Sequence, residues 1–320
     1  MGNVQTATGA IDAADLGKVL MHEHVFVIST EIQNNYPQEW GDEDERVADA
    51  VQRLTELKGA GIDTIVDPTA IGLGRYIPRI QRVAEQIDLR IVCATGLYTF
   101  NELPHYFRRR GIDRMVEHFV GDITDGFADT GIRAGVIKCA TDRPGLTPDV
   151  ETTLRACARA HRATGCPITT HTNAEARVGL DQQRVFREEG VDLSRVVIGH
   201  CGDTDDLDYL TELLDAGSYL GMDRFGIDGY LTTDQRVAVV AELCARGHAE
   251  QLVLSHDASC YIDWIEGEVP LAPLPNWHYL HISHDVVPAL LEAGVTTDQI
   301  DAMLVDAPRR FLDSINLGGY

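Results

Sequence analysis

Histidine, lysine and aspartate recur in this chain at the ends of short apolar runs, where they could serve as ligands to divalent cations. His22 and His24 stand in VLMHEHVF, Lys138 in AGVIKCA, His171 in PITTH, His200 in RVVIGH and Asp257 in LVLSHD. Imidazole nitrogens and carboxylate oxygens suit borderline dications such as zinc, and equally cobalt, manganese or iron. An HxH pair alone says little. Along a strand it puts both rings on one face, because side chains alternate, and His171, His200 and Asp257 add donors from three further strand ends. Lys138 is the odd member, since an ammonium has no lone pair and two dications would repel it. As a carbamate formed with carbon dioxide it would add a negative charge and two oxygens able to span ions about 3.5–4 Å apart. With Asp257, the carbamate and a hydroxide, the charge of a two-ion site falls to about +1, tolerable in a partly buried cleft.

These residues run from position 22 to position 257, so only a fold that gathers successive strand ends at one rim can unite them. Apolar runs at 19–25, 62–68, 90–96, 134–139, 167–171, 195–200, 218–222 and 251–255 read as strands. Between them lie segments of helical period such as 46–60, 149–164, 205–216 and 234–246. Eight strand–helix alternations without a polar linker predict an α/β fold, a single (β/α)8 TIM barrel domain over 1–320, with its site at the carboxyl ends of the strands. The irregular stretch 258–282, with Tyr261, Trp264 and Trp277, follows the eighth strand. There it would cap the mouth and suit a greasy substrate, or bury its rings against the barrel or a second subunit.

The chain has 320 residues, 44% of them hydrophobic, enough for a full core. Fifty acidic against 27 basic residues give a net charge of -23, which opposes binding to nucleic acid or to anionic membrane surfaces. The 7 cysteines show no CxxC pairing, and with no secretory or membrane-spanning signal a cytoplasmic setting is expected. The eight other histidines match nothing in the ligand pattern. His256 is expected to face away from Asp257 as a packing or supporting residue.

The set HxH, Lys, His, His, Asp on successive strands resembles the phosphotriesterase branch of the amidohydrolase superfamily over about residues 15–315. The strings GLYTF at Tyr98 and MDRFG at Arg224 are similar to those of its phosphotriesterase-like lactonases. The resemblance implies a first metal on His22, His24 and Asp257, a second on His171 and His200, and carboxylated Lys138 with a hydroxide bridging the two. It implies that Tyr98 leans over the metals, that Arg224 helps to fix the substrate loops, and that Asp257 shuttles the proton. Phe26 and Trp264 are candidates for an acyl-chain pocket. The implied activity is hydrolysis of small-molecule lactones, N-acyl-homoserine lactones foremost (quorum quenching), with weak organophosphate triesterase activity. The alternative is a dedicated phosphotriesterase, disfavoured by the short segment between Met222 and Thr233. A homodimer is implied as well.

Overall fold

A computed structural model of the chain describes residues 2–264 and 274–313. It opens with an antiparallel hairpin, β1 (Asn3–Thr6) and β2 (Gly9–Asp12). Then come β3 (Val19–Leu20), β4 (His24–Val27), β5 (Thr64–Asp67), β6 (Arg90–Gly96), β7 (Val136–Thr141), β8 (Ile168–Thr172), β9 (Val196–Ile198), β10 (Tyr219–Met222), β11 (Leu252–Leu254) and β12 (Ser259–Ile262). Eight of these form one parallel sheet in the order β11-β10-β9-β8-β7-β6-β5-β3. Its edges meet where Met21 N donates to Leu254 O at 3.3 Å. Above that seam β4 pairs in parallel with β12. With helices between the strands, this is a (β/α)8 barrel.

Each expected strand interval contains a strand, with two differences. The run 19–25 breaks between Leu20 and His24, so that the chain leaves β3, which pairs with β5, and enters β4, which pairs with β12. Within the stretch expected to be irregular, Ser259–Ile262 is a strand because its amides and carbonyls find β4 as partner; residues 265–273 of that stretch lie outside the described residues.

The helices start and stop where local chemistry dictates. Pro148–Thr164 begins with Thr147 accepting from Val150 N, has Pro at its first turn and Asp149 and Glu151 near its positive end, and stops at Gly165 in the left-handed conformation. Its apolar face, with Leu154 and Cys157, is buried against the outer face of the sheet.

The period of two along the strands sorts the barrel interior into layers. Val66, Val92, Val136, Val197 and Val253 pack together inside the barrel and are buried, with Leu16 and Phe311 in the same cluster. Ile65, Ile91, Ile137, Ile198 and Leu254, one residue away, belong to the outer core beneath the helices. The next inward position after Val136 is Lys138, and after Val253 come Ser255 and Asp257. Alternation thus delivers polar groups to the carboxyl end of the barrel.

Candidate metal centre

His22, His24, Tyr98, Lys138, His171, His200, Arg224, Asp257 and Trp264 all line one cavity of about 230 Å³ at this end. Phe26 does not. Its ring is buried against Trp40, with centroids 5.6 Å apart. Phe26, expected as a candidate for an acyl-chain pocket, is thus in the core, and in β4 it is Val27 that lines the cavity.

His22, His24 and His200 are each tied back by Nδ1. Asp223, buried and outside the cavity lining, sits 3.1 Å from His22 Nδ1 and 2.9 Å from His200 Nδ1, and accepts His200 N at 2.8 Å. An ionised carboxylate is an acceptor only, so it fixes a proton on both Nδ1 atoms and leaves the Nε2 lone pairs free. Gly221 makes room for it: a Cβ there would collide with the Asp223 carboxylate and lie 3.1 Å from Gly199 Cα. His24 Nδ1 is 2.7 Å from Thr69 Oγ1, whose proton goes to Asp67 Oδ1. His171 reverses the pattern, with Nε2 on Asp142 Oδ2 at 2.8 Å and Nδ1 3.3 Å from the Tyr98 hydroxyl. Carboxylate-backed imidazoles of this kind orient metal-ligating histidines.

The free donors converge. His24 Nε2 lies 3.2 Å and His22 Nε2 3.5 Å from Asp257 Oδ1, and His200 Nε2 lies 3.9 Å from Asp257 Oδ2. Around a tetrahedral zinc with bonds of about 2.0–2.1 Å, ligand atoms are separated by about 3.3 Å, so the first three donors already span the edges of such a site. Lys138 Nζ stands 3.0 Å from His22 Nε2, and the His171 and His200 ring centroids are 4.5 Å apart. His22, His24 and Asp257 thus form a group that could hold a divalent ion, and His22, His200 and Asp223 form another.

The same burial sets the charges. It pulls the Lys138 ammonium down to about 8 despite nearby Asp257 and Asp223, and it brings His171 to about 4 and His200 well below its ordinary value. For Asp257, burial is the largest influence and acts upwards, but His22, His200, His24 and Arg224 outweigh it and hold the carboxyl well below its usual range. His24 goes up, since its bonds to Asp257 and Asp67 overcome desolvation.

A chain of charges leads outwards. Arg224 Nε donates to Asp257 Oδ2 at 2.9 Å and its Nη1 to Asp203 Oδ2 at 3.0 Å, while Asp203 Oδ1 accepts from Arg236 Nη2 at 2.8 Å. Arg236 is itself buried and also binds Leu231 O and Ile227 O.

Asp223, Asp67, Asp142 and Asp203 were missed from the sequence. For two of them a signal existed: Asp223 shares strand parity with Gly221, and Asp142 with Lys138. Asp203 ends the short helical turn Cys201–Asp203 and carries none. His200 and Asp257 both adopt left-handed backbone conformations, φ 60° and 56°, which lie beyond the ends of β9 and β11 and which non-glycine residues keep chiefly at functional sites.

Comparison with known proteins agrees with this geometry. The model of the phosphotriesterase family matches residues 2–312. A phosphotriesterase homology protein of Mycobacterium tuberculosis (strain ATCC 25618 / H37Rv) is 60% identical over 327 residues, covering 100% of both chains. An aryldialkylphosphatase of Saccharolobus solfataricus is 38% identical over 304 residues, covering 94% of this chain and 96% of that one. A solved structure of the phosphotriesterase from Mycobacterium tuberculosis superposes with a TM-score of 0.96 at 60% identity, over 99% of this chain and 100% of the other. Among the described residues no helix is long and apolar enough to cross a membrane. The chain therefore belongs to the phosphotriesterase family, a family of binuclear metal enzymes on a (β/α)8 barrel.

Proposed function

We propose that this chain hydrolyses lactones, N-acyl-homoserine lactones with medium to long acyl chains foremost, and organophosphate triesters weakly. The observation that carries the reading is the mixed lining of one cavity, which combines the histidines, Lys138 and Asp257 with Val27, Leu73, Ile227, Ile262, Leu274 and Trp277. A lactone carbonyl belongs beside the polar groups and an acyl chain beside the apolar ones, where each buried methylene contributes about 0.8 kcal/mol.

His22, His24 and Asp257 would hold one ion, His171 and His200 the other, with Lys138 between them as a carbamate. Zinc suits the donors best. Divalent ions, when bound here, lower the pKa of water towards 7 and polarise a carbonyl. Lys138 offers some free amine near neutral pH, its ammonium value being about 8, and the free amine is the form that reacts with carbon dioxide. The new N–C bond replaces an N–H bond whose proton leaves to solvent. Asp257, its second oxygen fixed by Arg224, would take a proton from the attacking water and return it to the ring oxygen as the C–O bond breaks, giving a hydroxy acid. Tyr98, whose hydroxyl is pushed by burial well above the phenol range, stays protonated and would donate to the carbonyl oxygen as charge develops there.

A dedicated phosphotriesterase is the second reading, favoured by the name of the 38% identical aryldialkylphosphatase. Paired kcat/KM values on a lactone panel of increasing acyl length and on an aryl phosphotriester decide between them. Higher values on the lactones are expected; a phosphotriester value above every lactone reverses the reading. A homodimer belongs to the same proposal, and sedimentation at micromolar concentration checks it. Seven free, buried thiols support a cytoplasmic setting.

A further inference from the structure

Asp257 keeps a backbone conformation that residues with a Cβ avoid, φ 56°. The peptides on either side of it are bound by side chains from elsewhere. Glu23, fully buried, accepts His256 N at 2.8 Å on Oε1 and Ala258 N at 3.0 Å on Oε2. Oε1 also takes the His256 ring, Nδ1 at 2.6 Å, and His256 Nε2 in turn accepts Ile282 N at 2.8 Å. From Trp277 the indole Nε1 donates to His256 O and Asp257 O, each at 3.1 Å, and Asp257 N donates to His22 O at 3.1 Å. Glu23 lies in the break between β3 and β4, and its carboxylate is buried against the turn at 256–258.

We propose that Glu23 is a positioning residue: by gripping the amides of His256 and Ala258 it holds the left-handed turn that aims the Asp257 carboxylate at His22, His24 and Arg224. The ring of His256, which accepts Ile282 N on Nε2 and so donates from Nδ1, gives Glu23 one further hydrogen bond, whereas the two backbone bonds act on the turn at Asp257. The inference rests on the proposed role of Asp257 as metal ligand and proton carrier. Without the grip, the backbone at 257 relaxes towards the extended region and the carboxylate swings off the site.

Glu23→Gln tests this. It keeps the side chain's size but sets an NH2 group against one of the two amides. The metal-free variant is expected to bind Zn²⁺ about 10–100-fold more weakly by calorimetric titration, and kcat on the best substrate to fall by a similar factor with KM within about threefold. His256→Gln, which leaves both backbone bonds to Glu23, is expected to lower the melting temperature while kcat and Zn²⁺ affinity stay within about threefold of wild type. Wild-type Zn²⁺ affinity in Glu23→Gln overturns the proposal, as does an equal loss in His256→Gln, which would make the two side chains a structural hydrogen-bonded pair alone. Should Glu23→Gln fail to fold, Trp277→Phe removes the other side-chain hold on the same peptides; weaker Zn²⁺ binding is expected, and unchanged binding overturns the proposal. The titration needs no substrate, so a wild-type chain that binds Zn²⁺ tightly yet opens no lactone sinks the substrate reading and leaves this one standing.

Discussion

The inward positions near the amino end of the barrel are Val66, Val92, Val136, Val197 and Val253, all buried in one apolar cluster. One or two steps of the pleat further along the same strands stand Lys138, Ser255 and Asp257, with Gly199 beneath His200. The lower layer is a cluster of buried apolar side chains; in the upper layer the histidines, Lys138 and Asp257 have named polar partners, and two of its backbones are strained. Strands this short thus separate what holds the barrel together from what does the chemistry by about 6–7 Å, the rise of two residues. Substitutions in the two layers should leave different signatures: loss of stability with activity intact below, loss of activity with the fold intact above.

The largest effect is expected in the upper layer. Lys138→Ala should lower lactone kcat/KM by at least about 10³-fold, or about 4 kcal/mol, and reduce the bound metal measured by elemental analysis, with the circular dichroism spectrum preserved. Full activity in this variant would break the comparison. In the lower layer Val253→Ala should cost about 2 kcal/mol in urea unfolding, for the lost methyl groups and the cavity left behind, with kcat within about twofold. Trp264→Ala, at the exposed rim of the cavity, should raise KM about tenfold for long-chain lactones and scarcely for short ones; an equal rise across the panel would place the chain elsewhere.

The smallest effect is a null near neutrality. Burial pushes the thiols of Cys93, Cys157, Cys166 and Cys201 well above their ordinary value, Cys244 to about 11 and Cys260 to about 12. These thiols should ignore a disulfide reagent at pH 8 until the protein unfolds. The sign above that pH is fixed: the unfolded chain releases these protons near pH 9 and the folded one only later, so stability is intact below about pH 9 and is lost progressively as pH rises towards 12. Stability that rises over that window would mean that the thiols are not buried.

Much of this was legible in the sequence because two regularities coincide in it. The strand–helix period locates strand ends, and the residue types found there can bind metal, so the candidate ligands from His22 to Asp257 could be picked out together; Tyr98 and Arg224 come instead from the family resemblance, and Trp264 from the loop after the eighth strand. What escaped depends on tertiary partners. Ser259–Ile262 becomes a strand only because β4 offers an edge, and Phe26 is taken into the core by Trp40, a partner further along the chain. Asp223 serves two rings on different strands, and Glu23 serves a loop that closes the barrel from the far end of the sequence; pattern along one strand does not encode either bond.

Lys138, Asp257 and the four histidines are proposed to clasp two ions joined through a carbamate. Anomalous diffraction from crystals grown with zinc and bicarbonate tests it most directly. Two zinc peaks about 3.5–4 Å apart, bridged by density continuous with Lys138 Nζ, are the result expected; a single peak or none, with the lysine amine unmodified beside His22, would contradict it.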